Sequence, residues 1–294
     1  MHIGLIGLGK MGGSMRDRLR EQGIEVTGYD RNPAVSDVES VAALVAALPS
    51  PRTVWVMVPA GAITTSVVTE LGTLLGAGDL VVDGGNSRFT DDFTHAALLA
   101  QTGVDYLDAG VSGGVWGQQN GFALMVGGSA AAVERLMPVF DSLRPEGPRE
   151  ESFVHAGAVG AGHYAKMVHN GIEYALMQAY AEGYELLAAR TDIVTDVPGT
   201  FAAWQRGTVV RSWLLELLVQ ALEKDPALAS IEGYVDDSGE GRWTIEEALA
   251  NAVPVPAISA SIFARFESRQ ESSPAMKAVA ALRNQFGGHA VKSV

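Results

Sequence analysis

The chain has 294 residues, 47% of them apolar and 19% charged, with no cysteine and a formal net charge of −13. That length favours two domains over a single core, and the composition supplies a packed interior while excluding disulfides, thiolate metal sites and a cysteine nucleophile. The acidic balance disfavours nucleic acid and anionic membrane surfaces, both of which select basic faces, so an anionic substrate requires a local island of Lys and Arg.

The opening "MHIGLIGLGK" has no basic region and no small-residue cleavage site, and it reads as a first strand over residues 2–8 rather than a signal peptide. Nowhere does an apolar run approach the roughly 18–20 residues a bilayer span needs, so a cytoplasmic location is expected. Glycines then lead into "GGSMRDRLREQG", which has helical spacing and ends at Gly23. A strand "EVTGYD" follows, then an alanine-rich helix around 39–47, a strand "TVWVMV" ended by Pro59 and a helix over 62–75. The strand "DLVVDGG", a helix near 91–102 and the strand "DYLDAGV" continue the alternation. Strands alternating with helices of this length predict a parallel, doubly wound sheet with right-handed crossovers. From "FALMVGG" to about residue 160 the chain adds edge strands, with "SAAAVERLMPVFDSL" as a helix between them and "RPEGPREE" as a polar turn.

After "GAVGAGH" the texture changes. Residues 162–190 can run as one long helix, and "RSWLLELLVQALEK", "TIEEALANA", "ISASIFARFESRQ" and "SPAMKAVAALRNQF" all read as helical. The expected fold is therefore α/β, an N-terminal doubly wound Rossmann-type domain over 1–161 followed by an all-α domain over 162–294.

"GLGKMG" places Gly7, Gly9 and Gly12 in G-x-G-x-x-G spacing between a strand and a helix. The first glycine permits the tight turn, the second lets a pyrophosphate approach the backbone, and the third allows close helix packing. Asp30 ends the second strand 23 residues after Gly7, where a carboxylate accepts hydrogen bonds from the adenosine ribose hydroxyls. Such a carboxylate repels a 2′-phosphate and favours NAD, whereas Arg31 and Asn32 beside it leave NADP open. The expected cofactor contacts are Gly7, Leu8, Gly9, Lys10, Met11, Gly12, Asp30 and Arg31, with Val58 and Pro59 after the third strand and Asn86 after the fourth.

In "KMVHNGIEY" the residues Lys166, His169, Asn170 and Glu173 fall within an arc of about 100° of a helix, opposite Val168, Ile172, Ala175 and Ala179. A solvated face would carry interchangeable Lys, Glu and Gln; this stripe mixes a potential base, a potential acid and two hydrogen-bonding groups. Its neighbours are apolar enough to imply burial, and a buried polar stripe is costly unless it faces a ligand.

"KMVHNGIEY", "DGGNS" at 83–87 and "VSGG" at 111–114, with "GEGRWT", "IFAR" and "RNQFGGH" in order after them, resemble the decarboxylating 6-phosphogluconate dehydrogenases over essentially the whole chain. The resemblance implies conversion of 6-phosphogluconate to ribulose 5-phosphate and CO₂ with reduction of NAD or NADP, a step of the pentose phosphate pathway that requires no metal. It assigns Lys166 as general base and Glu173 as the acid that protonates C1. It implies substrate contacts from Asn86, Ser112, Gly113, Gly114, His169 and Asn170, and phosphate contacts from Tyr174, Arg265 and Arg283. It brings Arg283 and His289 from a neighbouring subunit, so that the protein is at least a homodimer whose C-terminal tail completes its neighbour's site. Two departures stand out: "GLGKMG" replaces the "GLAVMG" of the long enzymes, and Ser238 occupies the place of a phosphate-binding lysine, with Arg242 as a candidate substitute. A 3-hydroxyacid dehydrogenase that does not decarboxylate and a nonenzymatic dinucleotide sensor are the competing readings. His169 and Glu173 weigh against the first, since simple hydride transfer needs no acid at C1, and the paired base and acid weigh against the second.

Overall fold

A computed structural model describes residues 1–292 and divides the chain into two units, Met1–His169 and a second from Asn170 onward. In the first unit the strands are β1 (His2–Ile6), β2 (Glu25–Tyr29), β3 (Thr53–Val56), β4 (Leu80–Asp83), β5 (Asp105–Ser112), β6 (Ala123–Gly128) and β7 (Phe153–Gly157). Between them run α1 (Lys10–Glu21), α2 (Val41–Ala47), α3 (Ala62–Leu74), α4 (Phe89–Ala100), the single turn α5 (Gly117–Asn120) and α6 (Ala130–Leu143). Ser40 and Ser129 cap α2 and α6 by accepting from the backbone N–H three residues on, which satisfies a donor each helix start would otherwise orphan.

The seven strands form one sheet in the order β2-β1-β3-β4-β5-β6-β7. Pairing is parallel throughout except between β5 and β6, where the two edge strands reverse direction. Alternate residues along the strands serve different faces. Ile3, Leu5, Trp55, Val82, Leu107 and Ala109 join one core with α1 and α6, while Ile6, Val54, Val56, Val81 and Tyr106 join another with α2, α3 and α4. Because side chains alternate along a strand, such runs can be apolar on both faces only if helices cover both. The chain turns back to the opposite side of β1 on passing from β2 to β3, which makes the carboxyl ends of β1 and β3 a topological switch point.

One continuous helix, α7 (Ala161–Ala188), carries the chain from the first unit into the second. Beyond it lie α8 (Val197–Trp204), α9 (Trp213–Lys224), α10 (Glu240–Ala250), α11 (Pro256–Ser268) and α12 (Pro274–Gly287). Phe201, Leu215, Val219 and Leu222 form a core here, with Tyr180, Tyr184 and Trp204 against it. No residue of α12 is buried. Among the described residues no helix is long and apolar enough to cross a membrane.

Candidate active site

The glycine turn sits at the switch point. Gly7 has φ +92°, and a Cβ there would lie 2.5 Å from the Met57 carbonyl oxygen, while one on Gly12 would lie 1.9 Å from the Gly7 oxygen. Both positions exclude any side chain. Gly9 is different: a Cβ there would meet nothing within 4 Å, and as N-cap of α1 it provides no side-chain hydrogen bond to the helix start. The first N–H groups of a 12-residue helix therefore face an open approach, the arrangement that suits a pyrophosphate.

Asp30 accepts from the Leu8 N–H at 2.7 Å and from the Asn32 N–H at 2.8 Å. It thus ties the glycine turn to the end of β2 while each oxygen keeps a lone pair for a ribose hydroxyl. The Leu8 side chain is 6% exposed and belongs to the core, so that its backbone is what borders the turn. Lys10, Arg31, Pro59 and Asn86 are exposed, and Met11 and Val58 half-buried. Asn86 rides on a turn held by Asp83, which accepts from the Gly85 N–H at 3.0 Å and the Ser87 hydroxyl at 2.7 Å.

Lys166 is 8% exposed. Its Nζ lies 3.3 Å from His169 Nδ1, and His169 Nε2 lies 3.5 Å from Ser112 Oγ. With Lys166 as the donor, Nδ1 accepts, Nε2 carries the ring proton and Ser112 accepts; the opposite tautomer reverses both bonds. The histidine thereby links the lysine to the turn containing Gly113 and Gly114, whose φ values of +149° and +56° require glycine. The lysine's place depends on Gly110, because a Cβ at that position would come within 2.5 Å of Lys166 Cβ.

Burial on α7 falls on the polar stripe, as its mixed composition and apolar neighbours implied. The polar residues Lys166 and Asn170 are buried, at 8% and 7% exposure, and His169 and Glu173 half-buried, whereas Ile172 on the apolar side is 51% exposed. The polar stripe, not the apolar one, is withdrawn from water.

A second, larger polar group lies behind the lysine within the first unit. Asp92 accepts from the Tyr106 hydroxyl at 2.8 Å and pairs with His163 Nδ1 at 2.9 Å. Asp108 accepts from the Gly160 N–H at 2.7 Å and the His163 N–H at 2.9 Å, capping the start of α7. Burial pushes Asp92 up to about 6, against the opposing pull of His163. For His163, burial disfavours the cation, but the hydrogen bond and charge of Asp92, with Asp83 and Asp108, outweigh it and push the imidazole up to about 9. At neutral pH both partners are ionised. Burial holds the His95 imidazole below its ordinary range. Asp83, Asp92 and His95, and likewise Asp92, Asp108 and His163, bring atoms able to bind a metal within 4.8 Å of one another; the hydrogen bonds above already engage the carboxylates. Sequence reasoning missed Gly110, Asp92, Asp108 and His163. A glycine and an aspartate inside a buried strand, and a histidine one turn before the lysine, were the available signals.

In the second unit the Arg265 guanidinium lies 3.5 Å from the Tyr174 ring centroid and donates to the Asp236 carbonyl at 2.9 Å. The Tyr174 hydroxyl accepts from the Ser238 N–H at 3.3 Å, and Ser238 Oγ donates to Glu240 at 2.6 Å. A Cβ on Gly241 would crowd the Tyr174 ring at 2.9 Å. Tyr174, Arg265 and the "GEGRWT" stretch are therefore brought together. Arg242, the candidate phosphate substitute, pairs with Asp237 through two hydrogen bonds, at 2.9 and 2.8 Å. Arg283 and His289 are exposed on and just beyond α12, and neither hydrogen-bonds to Tyr174 or Arg265.

An open helix start at a switch point, an acidic strand end beside it and a buried lysine on the succeeding helix define a dinucleotide-dependent dehydrogenase. Comparison with known proteins makes the class specific. The model for the NAD binding domain of 6-phosphogluconate dehydrogenase matches residues 2–145, and that for the 6-phosphogluconate dehydrogenase C-terminal domain matches residues 162–293. The NAD(+)-dependent, decarboxylating 6-phosphogluconate dehydrogenase of Haloferax volcanii is 42% identical over 99% of this chain and 98% of its own length. YqeC of Bacillus subtilis is 38% identical over 99% of both chains. A Plasmodium falciparum 6-phosphogluconate dehydrogenase, whose structures include complexes with NADP+ and with 6-phosphogluconate, superposes with a TM-score of 0.83 at 26% identity, covering 98% of this chain and 65% of that one. The chain belongs to the 6-phosphogluconate dehydrogenase family.

Proposed function

We propose that the chain catalyses the oxidative decarboxylation of 6-phosphogluconate to ribulose 5-phosphate and CO₂, with NAD as preferred oxidant and NADP as an alternative, in the pentose phosphate pathway of the cytoplasm. The observation that carries this reading is the buried Lys166 joined through His169 to the Ser112 turn. When bound, the nicotinamide supplies the hydride acceptor. Lys166, as a neutral amine, removes the proton from the C3 hydroxyl. The resulting 3-keto acid loses CO₂ because its carbonyl receives the electrons of the breaking bond, and the Lys166 ammonium stabilises the developing enolate oxygen. Glu173, seven positions further along α7 and so about two turns away on the same side, delivers a proton to C1 of the enediol.

His169, Asn170, Asn86 and the Ser112-Gly113-Gly114 turn hold the sugar-acid hydroxyls in this reading, and Tyr174 and Arg265 hold the phosphate. The glycine turn, Asp30 and Arg31, with Val58, Pro59 and Asn86, bind the dinucleotide. Residues 1–161 form the cofactor domain and 162–294 the substrate and dimerisation domain. The exposed apolar residues of α12, among them Leu282 at 67% and Phe286 at 85%, support a homodimer in which Arg283 and His289 complete the neighbouring site.

The test is initial rates with 6-phosphogluconate and each cofactor in turn, following reduced nicotinamide together with CO₂. Coupled, stoichiometric formation of both is expected, faster with NAD. Absence of reduction with either cofactor, while an unphosphorylated 3-hydroxyacid reacts, would overturn the reading.

A further inference from the structure

Four elements of the first unit deliver charged or polar groups to one buried place behind Lys166: Asp83 from β4, Asp92 from α4, Tyr106 and Asp108 from β5, and His163 from α7. Asp83, Asp92 and Asp108 are fully buried, and His163 is 2% exposed. His95 on α4 adds a further buried imidazole, hydrogen-bonded to Thr65 at 3.1 Å. A cluster of this kind is an expensive way to fill a core. Replacing a buried ion pair by apolar residues is often neutral or stabilising, and here the His163 Nε2 is left without a hydrogen-bond partner. Its contacts indicate what the expense secures.

Each carboxylate addresses a segment that carries part of the proposed chemistry. Asp83 grips the turn bearing Asn86 through Gly85 and Ser87. Asp108 takes the N–H groups of Gly160 and His163 at the start of α7. Asp92, steadied by the Tyr106 hydroxyl, holds the His163 ring with both oxygens, at 3.0 and 2.9 Å. Lys166 follows His163 by three positions, so the two project to neighbouring parts of the helix surface. Asp108 fixes where the helix begins, and the His163–Asp92 pair fixes its rotation about its own axis. The Lys166 stem must pass Gly110, where there is no spare room for a side chain.

We propose that Asp92 and His163 are positioning residues: their buried pair sets the rotation of the first turn of α7 and thereby aims Lys166, in register with the Asn86 turn held by the same polar cluster. The proposal rests on Lys166 being the base. Neither residue touches substrate in this scheme, and both act through the helix.

The test uses the full-length enzyme as His163→Gln, Asp92→Asn and the double variant, each measured for kcat, for KM of both substrates and for amide hydrogen exchange over residues 160–166. The single variants leave a charge facing a neutral amide, whereas the double variant restores a matched amide–amide pair. A base displaced by a fraction of an ångström to 1 Å predicts a fall in kcat of about 10- to 100-fold in each single variant, with KM for NAD essentially unchanged because the hydrogen bonds of the pair run to Tyr106 and Asp108 and not to the glycine turn. Exchange at the first turn of α7 should quicken by about tenfold in the single variants. Both properties should return to within about threefold of wild type in the double variant, as expected for directly coupled residues. Single variants with wild-type kcat, a loss that merely follows the folded fraction, or a double variant no better than the singles would each overturn the proposal. If the wild type itself fails to turn over 6-phosphogluconate, the proposed reaction fails, and the exchange data still decide whether the pair holds the helix.

Discussion

At the scale of single residues, the difference between Lys166 and Glu173 is one of timing. In the proposed reaction Lys166 acts first as a base, and general acid–base groups of this kind contribute roughly 10²- to 10⁴-fold. Lys166→Met keeps the length of the side chain and removes the amine, so kcat should fall by about 10³-fold while binding of NADH, followed by the fluorescence of its reduced nicotinamide, is retained. Glu173, in the same proposed reaction, acts only after hydride and CO₂ have left. Glu173→Gln should therefore lower steady-state turnover by about 10²-fold or more yet permit a first-turnover burst of reduced nicotinamide in stopped flow. A burst absent from Glu173→Gln but present in Lys166→Met would reverse the assignment. Asp30 shows that a residue can have a second task invisible in the motif: besides its proposed ribose contact, it accepts from the Leu8 N–H and so ties down the glycine turn.

At the scale of elements, the close fit is between β5 and the start of α7. Residues 106, 108 and 110 share one face of β5 because side chains alternate, and they present in turn Tyr106 to Asp92, Asp108 to the helix start, and the bare backbone of Gly110 to the lysine stem. In Gly110→Ala the new methyl would stand 2.5 Å from Lys166 Cβ, an atom that can move only if the helix moves. Overpacking of this type costs about 1–3 kcal/mol; thermal unfolding should show that loss, and kcat should fall more than the folded fraction does. The alternation of strands and helices was legible because both faces of the sheet are apolar and each crossover has ordinary length. So was the glycine turn, whose spacing answers to a local requirement. The short helix α8 was not: its eight residues include a proline and a glycine, and it depends on the Asp196 cap and on burial of Phe201. The Asp92–His163–Asp108 cluster was equally hidden, since its members lie 55 and 71 residues apart along the chain and nothing local marks them as partners.

At the scale of the whole molecule, the exposed apolar residues of α12 bear on the proposed association and the buried ion pair on stability. Phe286 is 85% exposed on a helix with no buried residue, an arrangement more economical in an assembly than in an isolated chain. Phe286→Asp should shift sedimentation toward the monomer and lower activity with it; a variant that remains wholly dimeric would exclude α12 from the contact. Stability should also respond to pH through His163. Its folded pKa is about 9 against an ordinary value of 6.5, so the native state retains a proton that the unfolded chain releases between those limits. The contribution is complete below about pH 6.5 and disappears as pH rises through about 9, with an upper bound of roughly 3 kcal/mol for a shift of this size. Asp92 has the same sign at lower pH: with a folded pKa of about 6 against 3.8, the native state takes up a proton preferentially over that range and loses stability as pH rises across it. Unfolding measured at pH 6.5 and pH 9 should therefore separate the wild type from His163→Gln. The wild type should lose stability over the interval, and the variant, having no imidazole to titrate, should lose less. Equal losses in the two proteins would mean that the His163–Asp92 pair is not the group that titrates, and that the alkaline sensitivity of the first unit originates elsewhere.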